Sequence, residues 1–334
     1  MVRLDPIVAD AAKEFVRVRL IKIAGADLRK FEFDYDLTWY VFFLNADETI
    51  YGRYGGRDAA SAEARLSLKG LRHAMTRALE AHRNPPPPEP PLGTPIRAER
   101  FAAAAQHKGC IHCHNVNEFR RADLKAEAKW DRRSVWVYPL PENVGLTLDV
   151  DRGDLVKEVR ADSPADRAGI KSGDSLRRLN GVSIASQADV MYALHKGPAQ
   201  GEIPATWVRQ GTEHSGLLNV SEGWRKTNVT WRPSMLDILP SVPFSGDDLT
   251  AAEKKRLGLP QSRAAFRQAD KVHKTLSEAG LKAGDVIVGF NGATVDGDMG
   301  DLLGYVRRNF LVGDVATVDV LRGSQRVGVR ITLK

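Results

Sequence analysis

Cysteine is nearly absent. The 334-residue chain has two, Cys110 and Cys113, which excludes a scaffold held by several disulfides. Aromatic residues are sparse, at 7%. No apolar run approaches the roughly 18 residues of a membrane-spanning helix, so no integral membrane span is expected. The opening residues, Met1-Val2-Arg3-Leu4-Asp5-Pro6, contain no apolar signal core. Charge of one sign is never concentrated: the net charge is +7, yet five like charges never adjoin. Phosphate tracking needs clustered Lys and Arg, so nucleic acid is not an expected partner. A Gly-x-Ser-x-Gly nucleophile elbow is also missing. What is present suits a folded chain with buried cores: 43% hydrophobic and 27% charged residues. At about 150 residues per domain, the length gives two domains, or three with small ones.

The clearest boundary is Asn84-Pro85-Pro86-Pro87-Pro88-Glu89-Pro90-Pro91. Such a run fits neither a helix interior nor a central strand and favours an extended polyproline spacer. Before it, Ile7 to Phe15 reads as a helix. Val16, Val18, Leu20, Ile21 and Ile23 suggest a strand, and Tyr40 to Leu44 is a dense run fit for a buried one. Asn45 to Glu48 is a polar turn, Thr49 to Tyr54 returns as a strand ending at Gly55-Gly56, and Leu66 to His82 is amphipathic at helical spacing. This order, with Tyr40 to Leu44, Asn45 to Tyr51 and Tyr54-Gly55-Gly56, resembles a thioredoxin-like domain lacking its first strand. The resemblance implies no thiol chemistry for this unit, because the family's Cys-x-x-Cys position would fall before Met1 or is absent.

After the linker, Ala98 to His107 reads as a short Ala-rich helix running into Gly109-Cys110-Ile111-His112-Cys113-His114. From about residue 143 the chain repeats itself. Ala168-Gly169-Ile170-Lys171-Ser172-Gly173-Asp174 returns as Ala279-Gly280-Leu281-Lys282-Ala283-Gly284-Asp285, and Asn180-Gly181 as Asn291-Gly292. Glycine supplies the positive φ of a helix stop. The Asp is placed to bond nearby backbone N–H groups, and Asn-Gly is a strong hairpin signal. A helix follows in each copy, at Gln187–Lys196 and Asp301–Asn309, and then a terminal strand pair.

These words, with Ser163-Pro164-Ala165, fall in the order of the bacterial PDZ domain, which the repeat resembles. The resemblance implies a loop of the form apolar-Gly-apolar that receives the carboxylate of a peptide C-terminus. Val144-Gly145-Leu146 and Leu257-Gly258-Leu259 stand as the candidates. Successive backbone N–H groups converging at a glycine form a small anion nest, and the peptide adds as an extra strand. Neither copy opens its groove helix with His, so an apolar C-terminal residue is the expected ligand. Grooves that only support the structure are the alternative.

Cys110 and Cys113 with His114 form Cys-x-x-Cys-His, the haem c attachment signature: two thiols add to the haem vinyl groups and the adjacent imidazole ligates the iron. Downstream, no Met stands before the repeat to act as a sixth ligand, and His107 and His82 are the nearest other candidates. Zinc held by Cys110, Cys113 and His107 or His114 is an alternative, as is a plain dithiol.

The expected architecture is α/β and mainly-β multidomain: a partial thioredoxin-like α/β unit over residues 1–84, a proline-rich linker over 85–94, a short helical module with the Cys-x-x-Cys-His over 95–142, a first PDZ β-sandwich over 143–222, a linker over 223–246 and a second PDZ domain over 247–334. The expected function is non-catalytic binding of C-terminal or extended peptide segments, with a redox or haem c module at Cys110, Cys113 and His114. The alternatives are an electron-transfer cytochrome positioned by PDZ domains, and a thioredoxin-like dithiol oxidoreductase truncated at its N-terminus. Covalent haem implies a periplasmic or otherwise extracytoplasmic place, although no signal peptide is visible; a start upstream of Met1 would reconcile the two.

Overall fold

The computed structural model describes residues 5–85 and 92–334. Most of the proline run lies outside the described residues. The chain divides into two compact units, Met1–Ser234 and Met235–Lys334, and each contains both helices and sheets.

The first unit begins with helix α1 (Pro6–Ala12), the hairpin β1 (Tyr40–Leu44) and β2 (Ile50–Gly55), and helix α2 (Leu68–Arg83). Asp5 caps α1 and Ser67 caps α2, each satisfying an N–H that a helix start leaves without a partner. Val8 and Ala12 of α1, Phe43 and Tyr54 of the hairpin, and Ala74, Met75 and Ala78 of α2 close one small core. The strand expected at residues 16–23 does not form. Val16, Val18, Leu20 and Ile21 are 95, 80, 67 and 81% exposed. A strand needs a neighbour to take its backbone bonds, and β1 and β2 pair only with each other.

The Ala-rich stretch after the linker forms two short 3₁₀ turns, Ala98–Arg100 and Ala102–Gln106, rather than one helix, and α3 (Asn115–Ala126) follows the cysteines. The remainder of the unit is β3 (Leu146–Leu148), β4 (Val156–Val159), α4 (Pro164–Arg167), β5 (Ser175–Leu179), β6 (Val182–Ser183), α5 (Gln187–His195), β7 (Gly201–Arg209) and β8 (Thr212–Val220). β3 and β4 pair antiparallel, and a four-stranded sheet runs β6-β5-β7-β8. Leu146, Leu148, Leu176, Leu179, Val190, Leu194, Ile203 and Leu218 lie in the core between them.

The second unit holds β9 (Gly246–Asp248), α6 (Ala251–Arg256), β10 (Phe266–Gln268), α7 (Lys274–Glu278), β11 (Val286–Phe290), α8 (Met299–Asn309), β12 (Val315–Arg322) and β13 (Gln325–Thr332). One sheet runs β13-β12-β11-β10-β9. Its main core is built on Phe266, Ile287, Phe290, Leu302, Val306 and Val318.

The repeated words do the same physical work in both units. Asp174 accepts the Lys171 N–H at 2.7 Å and Asp285 the Lys282 N–H at 2.8 Å. Each carboxylate, fully buried or nearly so, then takes a two-pronged bond from the arginine that ends the penultimate strand: Arg209 at 2.8 and 2.7 Å, and Arg322 at the same two distances. Each arginine also reaches the carbonyl of the glycine in the Ala-Gly word, Gly169 or Gly280, at 2.8 Å. The helix stop, the turn and the last hairpin are therefore tied together by one paired charge.

Candidate functional site

In the first unit the glycine loop is built by a 3₁₀ turn over Pro141–Val144 that ends at Gly145 with φ +90°. A side chain at Gly145 is excluded twice: by that φ, and because a Cβ would lie 2.1 Å from Ser163. Gly145 donates its N–H to the Glu142 carbonyl at 3.1 Å and accepts from the Arg160 N–H at 2.9 Å, which ties the loop to β4. Asn143 pins the loop from behind, donating to the Trp224 carbonyl at 2.7 Å. Residues along an antiparallel strand alternate the edge to which their N–H and C=O point. With Gly145 bound toward β4, Leu146 and Leu148 direct theirs to the opposite edge, where no strand pairs among the described residues. That edge is nevertheless covered, since Leu146 is 0% and Leu148 4% exposed. Val144, Leu146 and Leu148 share their core with Val190, Ala193 and Leu194 of α5. Val144, Gly145 and Leu146 thus stand together at the head of β3, as the sequence suggests.

The second unit differs. Leu257, Gly258 and Leu259 lie at the C-terminal end of α6, not at the head of a strand. Their N–H groups donate to the carbonyls of Glu253, Lys255 and Lys254 at 3.0, 3.2 and 2.9 Å, which leaves no converging donors for an anion. Leu259 is buried in a satellite cluster with Leu249, Ala265, Val286, Val288 and Leu321, and Leu257 packs against it. β9, not residues 257–259, pairs with β10 as β3 pairs with β4. The residues that lead into β9 are Val242-Pro243-Phe244-Ser245, and Pro243 carries no N–H. Helix α6, inserted between β9 and β10, supplied the apolar-Gly-apolar word that misdirects a sequence reading.

The cysteines precede α3. Cys110 is exposed and Cys113 half-buried; burial pushes the Cys113 thiol up. Cys113 and Ile111 pack against Ile23, Leu28, Phe33, Tyr35, Ala98 and Val116. His114 sits at the N-cap position of α3, with Nδ1 2.7 Å from Glu118 Oε1. Asn115 holds the other Glu118 oxygen at 2.8 Å. The His114 ring is thereby oriented, with Nε2 left for another partner. The His112 ring stacks parallel to it at 5.9 Å, and His107 Nε2 is 3.3 Å from the Cys110 carbonyl. Among the described residues, no three His, Cys, Asp or Glu side chains converge as a metal ion would need.

Helix α5 is enclosed from outside by the N-terminal elements of its own unit. The Ser186-x-x-Asp189 capping box starts the helix. Asp189 also accepts the Arg53 N–H at 3.0 Å, and the Ser186 hydroxyl donates to the Arg53 carbonyl. Burial pushes the Asp189 carboxyl up to about 6, against the pull of Arg53 and of its hydrogen bonds. The Arg53 guanidinium lies 3.7 Å over the Tyr192 ring. Arg65 bonds Gln187 at 3.0 Å and Glu142 at 3.1 and 3.0 Å. At the far end, Lys196 meets Glu32 at 2.5 Å. Sequence reading missed Arg53, Arg65 and Glu32, because isolated charges far apart in the chain carry no pattern. The capping box was the one local signal available.

The family profile described as PDZ domain matches residues 143–218. The chain is similar to the periplasmic serine endoprotease DegP of Salmonella typhimurium, 30% identical over 44% of this chain and 28% of the relative. It is also similar to a probable periplasmic serine protease do/HhoA-like of Haemophilus influenzae, 28% identical over 44% of this chain and 29% of the relative, and to the serine protease Do-like HtrB of Bacillus subtilis, 47% identical over 18% of this chain and 13% of the relative. The chain thus spans less than a third of the length of these relatives. A crystal structure of the serine endoprotease from Yersinia pestis aligns at 28% identity over 24% of this chain and 28% of that one, with a TM-score of 0.22. No helix among the described residues is long and apolar enough to cross a membrane. The glycine loop, strand β3 and helix α5 all fall within the profile match, and residues 143–218 form a PDZ domain, a module that binds peptide segments of other proteins.

Proposed function

We propose that this chain is a non-catalytic protein-binding protein whose PDZ domain takes an apolar peptide C-terminus, or an extended segment, along β3. One observation carries the reading: β3 has a single strand partner, and the backbone groups of Leu146 and Leu148 face α5 unpaired by any strand. A peptide laid there gains main-chain bonds from β3 and side-chain contacts from α5. The second unit is read as a further PDZ domain whose groove runs beside β9 and α8. The Pro243 N–H is missing at the head of β9, so an extended internal segment suits it better than a C-terminus. The hairpin with α1 and α2 is read as a partial thioredoxin-like unit. Because two of the named relatives, those of Salmonella typhimurium and Haemophilus influenzae, are periplasmic, an extracytoplasmic place is proposed. The test is anisotropy titration of the full chain with labelled decapeptides ending in free Val, Leu, Ile or Phe. Micromolar binding, about −8 kcal/mol, is expected, with loss on amidating the C-terminus.

The His114–Glu118 bond at 2.7 Å favours a second role. Cys110 and Cys113 would attach one haem c and His114 would ligate it through Nε2. Glu118 at Nδ1 fixes the orientation of the ring, a role that supporting carboxylates play for ligating imidazoles. The aromatic cluster behind Ile111 and Cys113 gives an apolar backing. Haem bound there would supply a one-electron couple. Zinc would require these side chains to converge first. Expression with haem c maturation machinery should add one haem to the mass, and Cys110→Ser with Cys113→Ser should abolish it. A mass of apoprotein alone after maturation sinks this role.

A further inference from the structure

We propose that the connection from β2 to α2, residues 56–67, is a lid that closes the first PDZ groove in cis. The proposal rests on the peptide-binding reading above. Gln187 and Met191 are one turn apart on α5 and share a face, next to Leu194, which packs in the core with Leu146 of β3. Both are covered by the lid. Met191 packs on Gly56 so closely that a Cβ there would fall 3.0 Å from its Cε. Arg65, its side chain 9% exposed, joins the two walls of the groove. It bonds Gln187 at the start of α5, and Glu142 just ahead of the glycine loop, at 3.0 to 3.1 Å. Asp58 holds the same guanidinium from the lid side at 3.1 Å. Ser67 Oγ reaches the Val150 carbonyl just past β3 at 3.3 Å.

These contacts lay the lid over the groove face of α5 and tie it to the residues that flank β3, Glu142 before it and Val150 after it. No backbone hydrogen bond joins the lid to β3 among the described residues. The closure therefore hangs on side chains and can open without unmaking a sheet. Residues 59–64 are exposed, and the hydrogen bonds of Ala60, Ser61 and Glu63 stay within their own turn. A peptide strand entering beside β3 would have to take the space under Arg65. Opening requires the release of Gln187 and Glu142, while Arg53 keeps β2 seated on the opposite side of α5.

The test uses the full chain, its Arg65→Ala variant and its Arg65→Glu variant, which places like charge against Glu142 and Asp58. The probe is the free-carboxylate decapeptide pool. Arg65→Ala should bind about tenfold tighter than the unaltered chain, a change of about 1.4 kcal/mol, and Arg65→Glu at least as tightly. A merely structural role for Arg65 would weaken binding or leave it alone; circular dichroism melting confirms that each variant is folded. Hydrogen exchange at amides 57–66 should rise when the unaltered chain is saturated with peptide. Equal binding by all three proteins, or peptide binding with no change at 57–66, overturns the lid and leaves the peptide-binding reading standing. No binding of any free-carboxylate probe by any of the three overturns both.

Discussion

Gly145 and Glu32 show how much single positions decide. At Gly145 a Cβ would meet both φ +90° and the Ser163 side chain at 2.1 Å. Gly145→Ala should therefore destabilise the first unit by about 2–4 kcal/mol, from backbone strain plus overpacking, read as a shift of its urea midpoint. That residue is a poor handle on peptide binding for the same reason, and amidating the peptide is the cleaner probe. Glu32 offers a test through pH. Burial pushes its carboxyl up, but His195 and Lys196 outweigh that and hold it down at about 2. An unfolded Glu titrates near about 4.3. A depressed folded value means stability that is present above about pH 4.3 and lost as pH falls toward 2, about 2–3 kcal/mol in all. Glu32→Gln should flatten the melting temperature across that window; an unchanged slope contradicts the pairing.

At the scale of elements, the repeat makes a matched prediction. Arg209→Ala and Arg322→Ala each strand a buried aspartate that also caps a turn, Asp174 and Asp285. Each should lower the urea midpoint of its own unit, by less than breaking a fully buried pair would, because both arginines are partly exposed. Unequal effects would mean that the two turns are not mechanically equivalent. Much of this was legible in the sequence. The Ala-Gly and Gly-Asp words, the Asn-Gly turns and the strand Val286–Phe290 are local, and local chemistry fixed them. The glycine loop at 144–146 was legible for the same reason. Leu257-Gly258-Leu259 was misleading, because the same three-residue word serves equally as the end of a helix, and only the pairing of β9 with β10 separates the two uses. The strand expected at Val16 to Ile23 failed because alternation of apolar residues marks the capacity to pair, while the partner is a tertiary matter. Whether Cys110, Cys113 and His114 hold haem depends on chemistry added after folding, which residue types suggest and folding alone does not decide.

At the scale of the molecule, the first unit is locked by a buried charge cluster. Arg232, 2% exposed, donates to Asp34 at 2.5 Å and to Asp36 at 3.2 Å, and Ser234 adds two bonds to Asp36 at 2.8 Å. Residues from the two ends of the unit meet there, so the N-terminal elements and the segment that follows the PDZ domain should unfold together. Removing one partner of a buried pair costs about 3–5 kcal/mol. Arg232→Ala should lower the urea midpoint of the first unit and leave a second, separate transition for the second unit in place; one merged, uniformly shifted transition contradicts that division. The first unit's rigidity also bears on function, since the lid over α5 is carried on elements anchored to the domain it covers. The central claim is that β3 of the PDZ domain receives a peptide C-terminus. Amide chemical shifts of the full, isotope-labelled chain, titrated with one free-acid decapeptide from the pool and with its C-terminal amide, test it most directly. The account predicts shifts at Gly145, Leu146, Leu148 and along α5 with the free acid, and their loss with the amide. Identical shifts with both peptides, or shifts confined to other elements, would contradict it.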